Sequence, residues 1–284
     1  MLAAATRDDA VAAEPVAERS VRPGEVIRLD VAYAAPSDRV VATVLGHEVA
    51  FYPDPDHKTW HALVGLDLDT RPGKYAVTIG AIRLGQPALT ATHQLRVIPK
   101  QFPTRRLRVA DRYVNPPASA LERIQRESQR LLALFGTLTP RRWDGPFLAP
   151  ADGYPTSNFG SRSIFNGQPR SPHAGIDFMS PEGTPVRASN AGQVVLAEDL
   201  FFTGNTVIVD HGLGLYSLVA HLSTLAVSER ETVSRGTVVG LVGATGRVTG
   251  PHLHWAVRLN GARVDPLSLM TALDRPAAVE SSER

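Results

Sequence analysis

Apolar and polar residues alternate in short runs between residues 21 and 98, and turn residues such as Pro23 and Gly24 separate the runs. An alternation with a period of two turns one face of each segment toward a core, and proline, glycine and aspartate end each segment. The alternating segments are residues 25–31, 39–45, 59–64, 74–79 and 93–98. This half of the chain is therefore predicted to be a small antiparallel β-sandwich of the immunoglobulin-like kind.

A second series of strands begins near residue 147, and glycine, asparagine or proline bounds each of them. The predicted strands are residues 185–188, 192–197, 205–210, 215–221, 237–242 and 252–257. No helix separates them, so a glycine-rich antiparallel sheet is expected rather than a parallel one. A short helix should follow, with Asp265 as its cap and Pro266 at its first position.

One long amphipathic helix is predicted between the two β regions, over residues 120–135. Ser119 and Glu122 have the spacing of a capping box. The positions that recur at helical spacing are Leu121, Ile124, Ser128, Leu131, Leu132 and Phe135. A helix that binds a partner is one interpretation, and a strut packed between two domains is the favoured one.

The chain is thus expected to be mostly β, with five parts. They are a flexible lead-in (1–20), the sandwich (21–98), a proline- and arginine-rich connector with the helix (99–146), the second β domain (147–270) and a flexible tail (271–284). The first residues lack the charged and apolar regions of an export signal. That is expected of an exported protein without its signal, and equally of a cytosolic one.

Composition narrows the function classes without choosing one. The chain has 284 residues, a formal net charge of +2 and no cysteine, which excludes disulfide scaffolds, cysteine-ligated zinc and thiol nucleophiles. No lysine and arginine stripe interleaves with aromatic residues, so no nucleic acid is expected as a partner. No apolar run is long enough for a transmembrane segment. The mildly basic balance suits an anionic polymer such as a bacterial cell wall, although solubility is the simpler explanation.

Four residues of the second β domain have the spacing of metal ligands. His173 and Asp177 are four residues apart, and His252 and His254 are two apart, which puts both imidazoles on one face of a strand. Catalytic zinc takes three protein ligands and leaves one position open for water. The favoured interpretation makes His173, Asp177 and His254 the ligands of one divalent ion. The alternative is a set of unconnected core or surface histidines.

Two further imidazoles would then act on a water molecule at the metal. His252 and His221 are predicted to be the acid and base groups, because an imidazole beside such a water can take its proton and later protonate a leaving amine. His221 is expected to face away from its apolar neighbours Leu218 and Ala220. Zinc suits this donor set, but manganese and cobalt remain open.

Several motifs, in order, resemble the lysostaphin-type (LytM-like) zinc endopeptidases. They are Phe-Gly-Ser-Arg at 159–162, Ser-Pro-His-Ala-Gly-Ile-Asp at 171–177, Tyr-Ser-Leu-Val-Ala-His-Leu at 216–222, and the run at 243–254 that ends in Pro-His-Leu-His. The resemblance covers about residues 150–266. Residues 105–109 and 113–117 also resemble exported members of the family that carry an immunoglobulin-like domain.

The resemblance implies a β peptidase domain with a narrow groove and one Zn²⁺. The implied ligands are His173, Asp177 and His254, the implied catalytic residues are His221 and His252, and the implied substrate is a cross-link or stem peptide of bacterial peptidoglycan. Such a protein would act in the periplasm or cell envelope.

Some relatives place a tyrosine near the oxyanion, shortly before the first zinc histidine. This sequence has none between residues 154 and 173, so Asn166 is a candidate helper. Arg162 is expected either to contact substrate carboxylates or to fix its loop. His211 is expected to make structural hydrogen bonds.

Two other functions stay open. The first is a non-catalytic protein that has this same fold and either binds the cell wall or regulates an amidase. The second is an enzyme inhibited by its own N-terminal domain or connector covering the groove. The oligomeric state is not set by the sequence.

Overall fold

The computed structural model describes residues 19–32, 39–55, 57, 59–83, 86–156 and 158–274, without the side chains of residues 83 and 86–91. Residues 1–18 of the predicted lead-in and residues 275–284 of the predicted tail lie outside these ranges. Within them, no helix has both the length and the apolar character needed to cross a membrane.

Among the described residues of the N-terminal region, eight strands are present. They are β1 (Arg19–Val21), β2 (Val26–Ala32), β3 (Arg39–Val44), β4 (His47–Ala50), β5 (Tyr52–Pro53), β6 (Thr59–Gly65), β7 (Gly73–Arg83) and β8 (Gln86–Val97). One sheet has the order β1-β8-β7-β3-β4 and the other β2-β6-β5. Their facing sides share one core, which includes Ile27, Val40 and Val77. The two-sheet sandwich is confirmed, although β1 pairs with β8 in parallel.

The sheet that contains β2 and β6 is buried on both faces. Ala62 and Val64 of β6 face the sandwich core, whereas Leu63 packs into the core of the C-terminal region. Strands buried on both sides carry nearly continuous apolar runs, which explains why five consecutive residues of β6 are buried. An ion pair reinforces the contact, because Arg263 Nη2 lies 2.6 Å from Asp67 Oδ1.

Thirteen further strands lie in the part of the C-terminal region that the structure describes. They are β9 (Thr104–Leu107), β10 (Tyr154–Pro155), β11 (Arg162–Phe165), β12 (Gln168–Arg170), β13 (Gly175–Met179), β14 (Pro185–Arg187), β15 (Gly192–Leu200), β16 (Gly204–Gly212), β17 (Leu215–Leu225), β18 (Thr232–Val233), β19 (Val238–Val242), β20 (Leu253–Leu259) and β21 (Ala262–Val264). The main sheet runs β10-β13-β20-β17-β16-β15-β18, with β14, β19 and β21 attached beside it. All its pairs are antiparallel, as predicted.

The predicted connector is part of this second region rather than a free linker. Its strand β9 pairs in parallel with β11 in a small three-stranded sheet. Trp143 is buried in the core of the C-terminal region, and Phe102 packs against the same core. Residues with these contacts cannot move independently of the main sheet.

The long helix α1 spans Ala118–Phe135 and is preceded by Pro117, with no side-chain cap. The capping box is therefore wrong, because Ser119 already lies inside the helix. The strut interpretation is also wrong. Leu131, Leu134 and Phe135 pack on the outer face of β15–β17, and Arg130 pairs with Glu198 and Glu229 of the same region. Periodicity showed that one face of the helix is apolar, but not which surface would cover it.

The C-terminal helix α2 spans Pro266–Asp274. Asp265 accepts a hydrogen bond from the backbone N–H of Leu267 at 3.0 Å, so the predicted cap is confirmed. The helix continues past residue 270, and Ala272 is buried. Residues 271–274 are thus not part of a flexible tail.

Candidate metal centre and groove

His173, Asp177 and His254 meet because β13 and β20 are adjacent. The two strands pair so that Asp177 stands opposite His254, and His173 lies in the irregular segment just before β13. Residues opposite each other in an antiparallel pair project from the same face of the sheet. A histidine four residues before Asp177 then folds back over that face.

Three donor atoms of these residues form a nearly equilateral triangle. His173 Nε2 lies 3.0 Å from His254 Nδ1 and 3.0 Å from Asp177 Oδ1, and His254 Nδ1 lies 2.9 Å from the same oxygen. Tetrahedral ligands at zinc distances are separated by roughly 3.3 Å. The triangle therefore fits one such ion with a small outward adjustment, and these residues form a metal-capable group among the described residues.

The outer oxygen of Asp177 is held from the other side. Asn158 Nδ2 donates to Oδ2 at 2.7 Å, and Arg105 Nη1 of β9 lies 3.4 Å away. Burial alone would raise the pKa of Asp177, but the contacts with His173 and His254 hold it well below its usual range. Burial lowers the pKa of His173 to about 4. At neutral pH the site thus holds a carboxylate and a neutral imidazole, which are donor forms that metals require.

His221 reaches the same site through an irregular backbone. Its φ is 65°, and the register of β17 changes partner around it, from His254 of β20 at Ala220 to Val242 of β19 at Leu222. The expectation that His221 faces away from Leu218 is wrong, because both line the same groove. A regular strand would turn residue 221 away from this face, and the left-handed conformation brings it back.

Backbone carbonyls set the tautomers of the two additional imidazoles. His221 Nδ1 donates to the carbonyl of Thr245 at 2.9 Å, and His252 Nδ1 donates to the carbonyl of Gly250 at 2.8 Å. Each Nε2 is then the acceptor atom of a neutral ring. His252 Nε2 lies 4.0 Å from Asp177 Oδ1. The ring centroids of His221 and His252 are 4.9 Å apart. Burial, followed by the nearby His254 and His252, lowers the pKa of His221 to about 3.

A groove of about 680 Å³ contains all five residues. Arg105, Leu107 and Val109 of the connector form one wall of the groove. Leu131 and Phe135 of α1 also line it. No described residue between 19 and 98 lines the groove. Inhibition by the N-terminal domain covering the groove is therefore not supported, while the connector does border it.

The two predicted substrate-binding residues lie outside this lining. Asn166 lies in the turn between β11 and β12, and its side-chain amide both accepts from and donates to the backbone of Val109. Arg162 begins β11 with an exposed side chain. Asn166 therefore fixes the connector to β11. His211 has the expected structural role, because it is fully buried and bonds the carbonyl of Ala191 and the hydroxyl of Ser217.

Among the polar groove residues that sequence reasoning missed are Arg105, Asn158 and Arg247. Arg105 is separated from Asp177 by 72 positions, so no local spacing connects them. Arg247 lies inside the 243–254 motif, but nothing in the sequence distinguishes it from an exposed loop arginine.

The chain is similar to peptidases in both sequence and fold. Residues 171–266 match the family described as peptidase family M23. A solved structure from Pseudomonas aeruginosa, described as an M23 peptidase, is 33% identical with a TM-score of 0.68, over 88% of this chain and 95% of that one.

Two curated relatives match the same region. The DD-carboxypeptidase/endopeptidase Mpg of Neisseria meningitidis serogroup B is 43% identical over 111 residues, which are 39% of this chain and 25% of Mpg. The peptidoglycan DD-endopeptidase ShyA of Vibrio cholerae is 42% identical over 113 residues, which are 39% of this chain and 26% of ShyA. This chain thus matches about a quarter of the length of these relatives.

Proposed function

Because the chain belongs to peptidase family M23, we propose that it is a zinc-dependent metalloendopeptidase that hydrolyses peptide bonds of bacterial peptidoglycan. The observation that carries the proposal is the triangle of donor atoms from His173, Asp177 and His254, with two more imidazoles beside it in one groove. The relatives named as peptidoglycan DD-endopeptidases support the substrate class. Action on peptidoglycan would place the protein outside the cytoplasm, in the periplasm or cell envelope.

One Zn²⁺ held by His173, Asp177 and His254 would lower the pKa of a water molecule and polarise the scissile carbonyl. Asn158 and Arg105 keep the Asp177 carboxylate turned toward the two histidines. Such outer contacts fix the orientation of metal ligands.

His221 and His252 divide the proton transfers. Because each Nδ1 is held by a backbone carbonyl, each Nε2 is the atom that accepts a proton. One ring accepts the proton of the attacking water. The other, when it carries a proton on Nε2 as an imidazolium, can donate a hydrogen bond to the oxyanion. Among the described residues that line the groove there is no tyrosine, and Asn166 is bonded to the backbone of Val109, so we assign no other side-chain hydroxyl or amide to the oxyanion.

Two substitutions separate metal binding from turnover. His254→Ala should lose both zinc retention and hydrolysis, because one corner of the donor triangle is removed. His252→Ala should keep the metal and lose hydrolysis by about 10²- to 10⁴-fold. Metal content by mass spectrometry and the release of peptides from purified peptidoglycan measure the two effects. His47→Ala, at an exposed histidine of β4, is the matched control and should change neither.

The same experiment distinguishes the non-catalytic alternative. Wild-type protein that binds peptidoglycan or an amidase, retains no zinc and releases no product would be a binding or regulatory protein with this fold. The presence of all three ligand residues and both additional histidines favours the enzyme.

A further inference from the structure

The loop that orients His221 also positions an arginine at the edge of the groove. Two residues after Thr245, whose carbonyl holds the His221 ring, the backbone N–H of Arg247 donates to the carbonyl of Phe202 at 2.8 Å. Between them, Gly246 has a φ of 76°, and a Cβ there would lie 2.4 Å from the backbone nitrogen of Gly204. The loop is therefore packed tightly against the turn at 202–204, which fixes the backbone position from which the Arg247 side chain extends.

Aromatic rings hold the guanidinium of Arg247. Its central carbon lies 4.7 Å from the ring centre of Phe165 and 4.9 Å from that of Phe202. Contact with ring faces leaves the N–H groups at the edge of the guanidinium as its free donors. Within the part of the chain that the structure describes, no carboxylate or carbonyl accepts a hydrogen bond from them, and Arg247 lines the groove.

The groove has more positive than negative charge. Its charged lining residues, apart from histidines, are Arg105, Arg247, Arg258 and Asp177, and Asp177 is already bound by the site histidines, Asn158 and Arg105. Burial, then the charges of Arg170 and Arg105, lower the pKa of Arg247 to about 10, so it remains protonated at neutral pH. A half-buried cation without an anionic partner is unfavourable until a ligand supplies one.

We propose that Arg247 binds a free carboxylate of the substrate and thereby selects acidic peptides whose carboxylate lies close to the scissile bond. A guanidinium edge matches a carboxylate with two parallel hydrogen bonds. Because the same loop fixes both Arg247 and His221, a carboxylate bound there places the scissile bond in a defined position relative to the imidazoles. This inference rests on the proposed peptidase function and adds a determinant of its specificity.

The test compares two synthetic cross-linked stem peptides that differ only at one group, the free α-carboxylate of the γ-linked glutamate or its carboxamide. Wild-type protein should cleave the carboxylate peptide with the higher kcat/KM. Arg247→Gln should lower kcat/KM for that peptide by roughly 10- to 100-fold, because glutamine keeps a neutral hydrogen-bond donor but loses the charge and the paired geometry. The same substitution should leave kcat/KM for the carboxamide peptide almost unchanged. Arg247→Lys should recover part of the loss, because it keeps the charge but not the paired hydrogen bonds.

Arg187→Gln is the control, since Arg187 is an exposed arginine of the same region that bonds the carbonyl of Gly236; it should act like wild type on both peptides. Equal cleavage of both peptides by wild-type protein, or an equal loss on both in Arg247→Gln, would overturn the carboxylate site while leaving the peptidase intact.

Binding of the corresponding single stem peptides, measured by calorimetry, separates the two proposals. If nothing is cleaved but the carboxylate peptide binds more tightly, and only when Arg247 is present, the carboxylate site stands and the peptidase proposal fails. If nothing is cleaved and the two stem peptides bind equally, both proposals fail. Thermal unfolding of each variant, with Arg247→Lys as the milder change, shows whether a loss reflects misfolding.

Discussion

A single added methyl group at Gly175 should damage the candidate metal centre. Gly175 begins β13 and pairs with Ala256 of β20. A Cβ at this position would lie 2.4 Å from the carbonyl oxygen of Trp255, and 2.8 and 2.9 Å from Cε1 and Nε2 of His254. The carbonyl is part of the paired strand and cannot rotate away. Either β13 and β20 separate or the His254 ring moves.

Separation of the strands would lower the free energy of unfolding, and movement of the His254 ring would lower the affinity for zinc. Forcing a methyl group into a closely packed contact destabilises a protein by about 1–3 kcal/mol. A displaced His254 also weakens the donor triangle with Asp177 and His173, and disturbing the support of a ligand lowers metal affinity by about 10- to 100-fold. Gly175→Ala should therefore unfold at lower urea concentration and bind zinc more weakly than wild type. Because metal bound to the native state adds stability, zinc should stabilise the variant less.

Urea unfolding with and without zinc, together with a zinc competition titration, measures these effects. Gly80→Ala is the matched control, since Gly80 also lies in a strand with an ordinary φ and a Cβ there would meet nothing within 4 Å. Its stability should stay within about 0.5 kcal/mol of wild type. If Gly175→Ala also stays within that range and binds zinc like wild type, the close approach of β13 and β20 is refuted as a requirement of the site.

Two further substitutions test contacts between distant parts of the chain. Burial alone would raise the pKa of Asp67, but hydrogen bonds from the side chain and backbone of Arg263 lower it. The ionised Asp67 therefore stabilises the folded protein fully above the unfolded pKa of about 4. This contribution is lost as the pH falls through the lower pKa of the folded state. Asp67→Asn should cost about 1–3 kcal/mol at pH 7 in urea unfolding, with a gap to wild type that shrinks below pH 4; a gap independent of pH would contradict the ion pair. Arg105→Gln should lower zinc affinity by about 10- to 100-fold, since Asp177 Oδ2 keeps only Asn158. Faster peptidoglycan hydrolysis by this variant would instead show that the connector inhibits the groove.

The sequence determined the features that depend on local spacing. Alternation with a period of two predicted the two β regions, because one face of each strand must be buried. The spacing of His252 and His254 predicted that they share a strand face, and both line the groove. The cap at Asp265 followed from its position before Pro266. Each of these predictions needed only residues that are close together in the sequence.

Tertiary structure alone decided the rest. The position of His221 depends on a left-handed residue where β17 changes partner, and an alternating pattern assigns it to the wrong face. Arg105 reaches Asp177 because β9 pairs with β11, and α1 covers β15–β17 instead of bridging two domains. Periodicity records which face of a segment is apolar, but long-range packing chooses the surface that covers it.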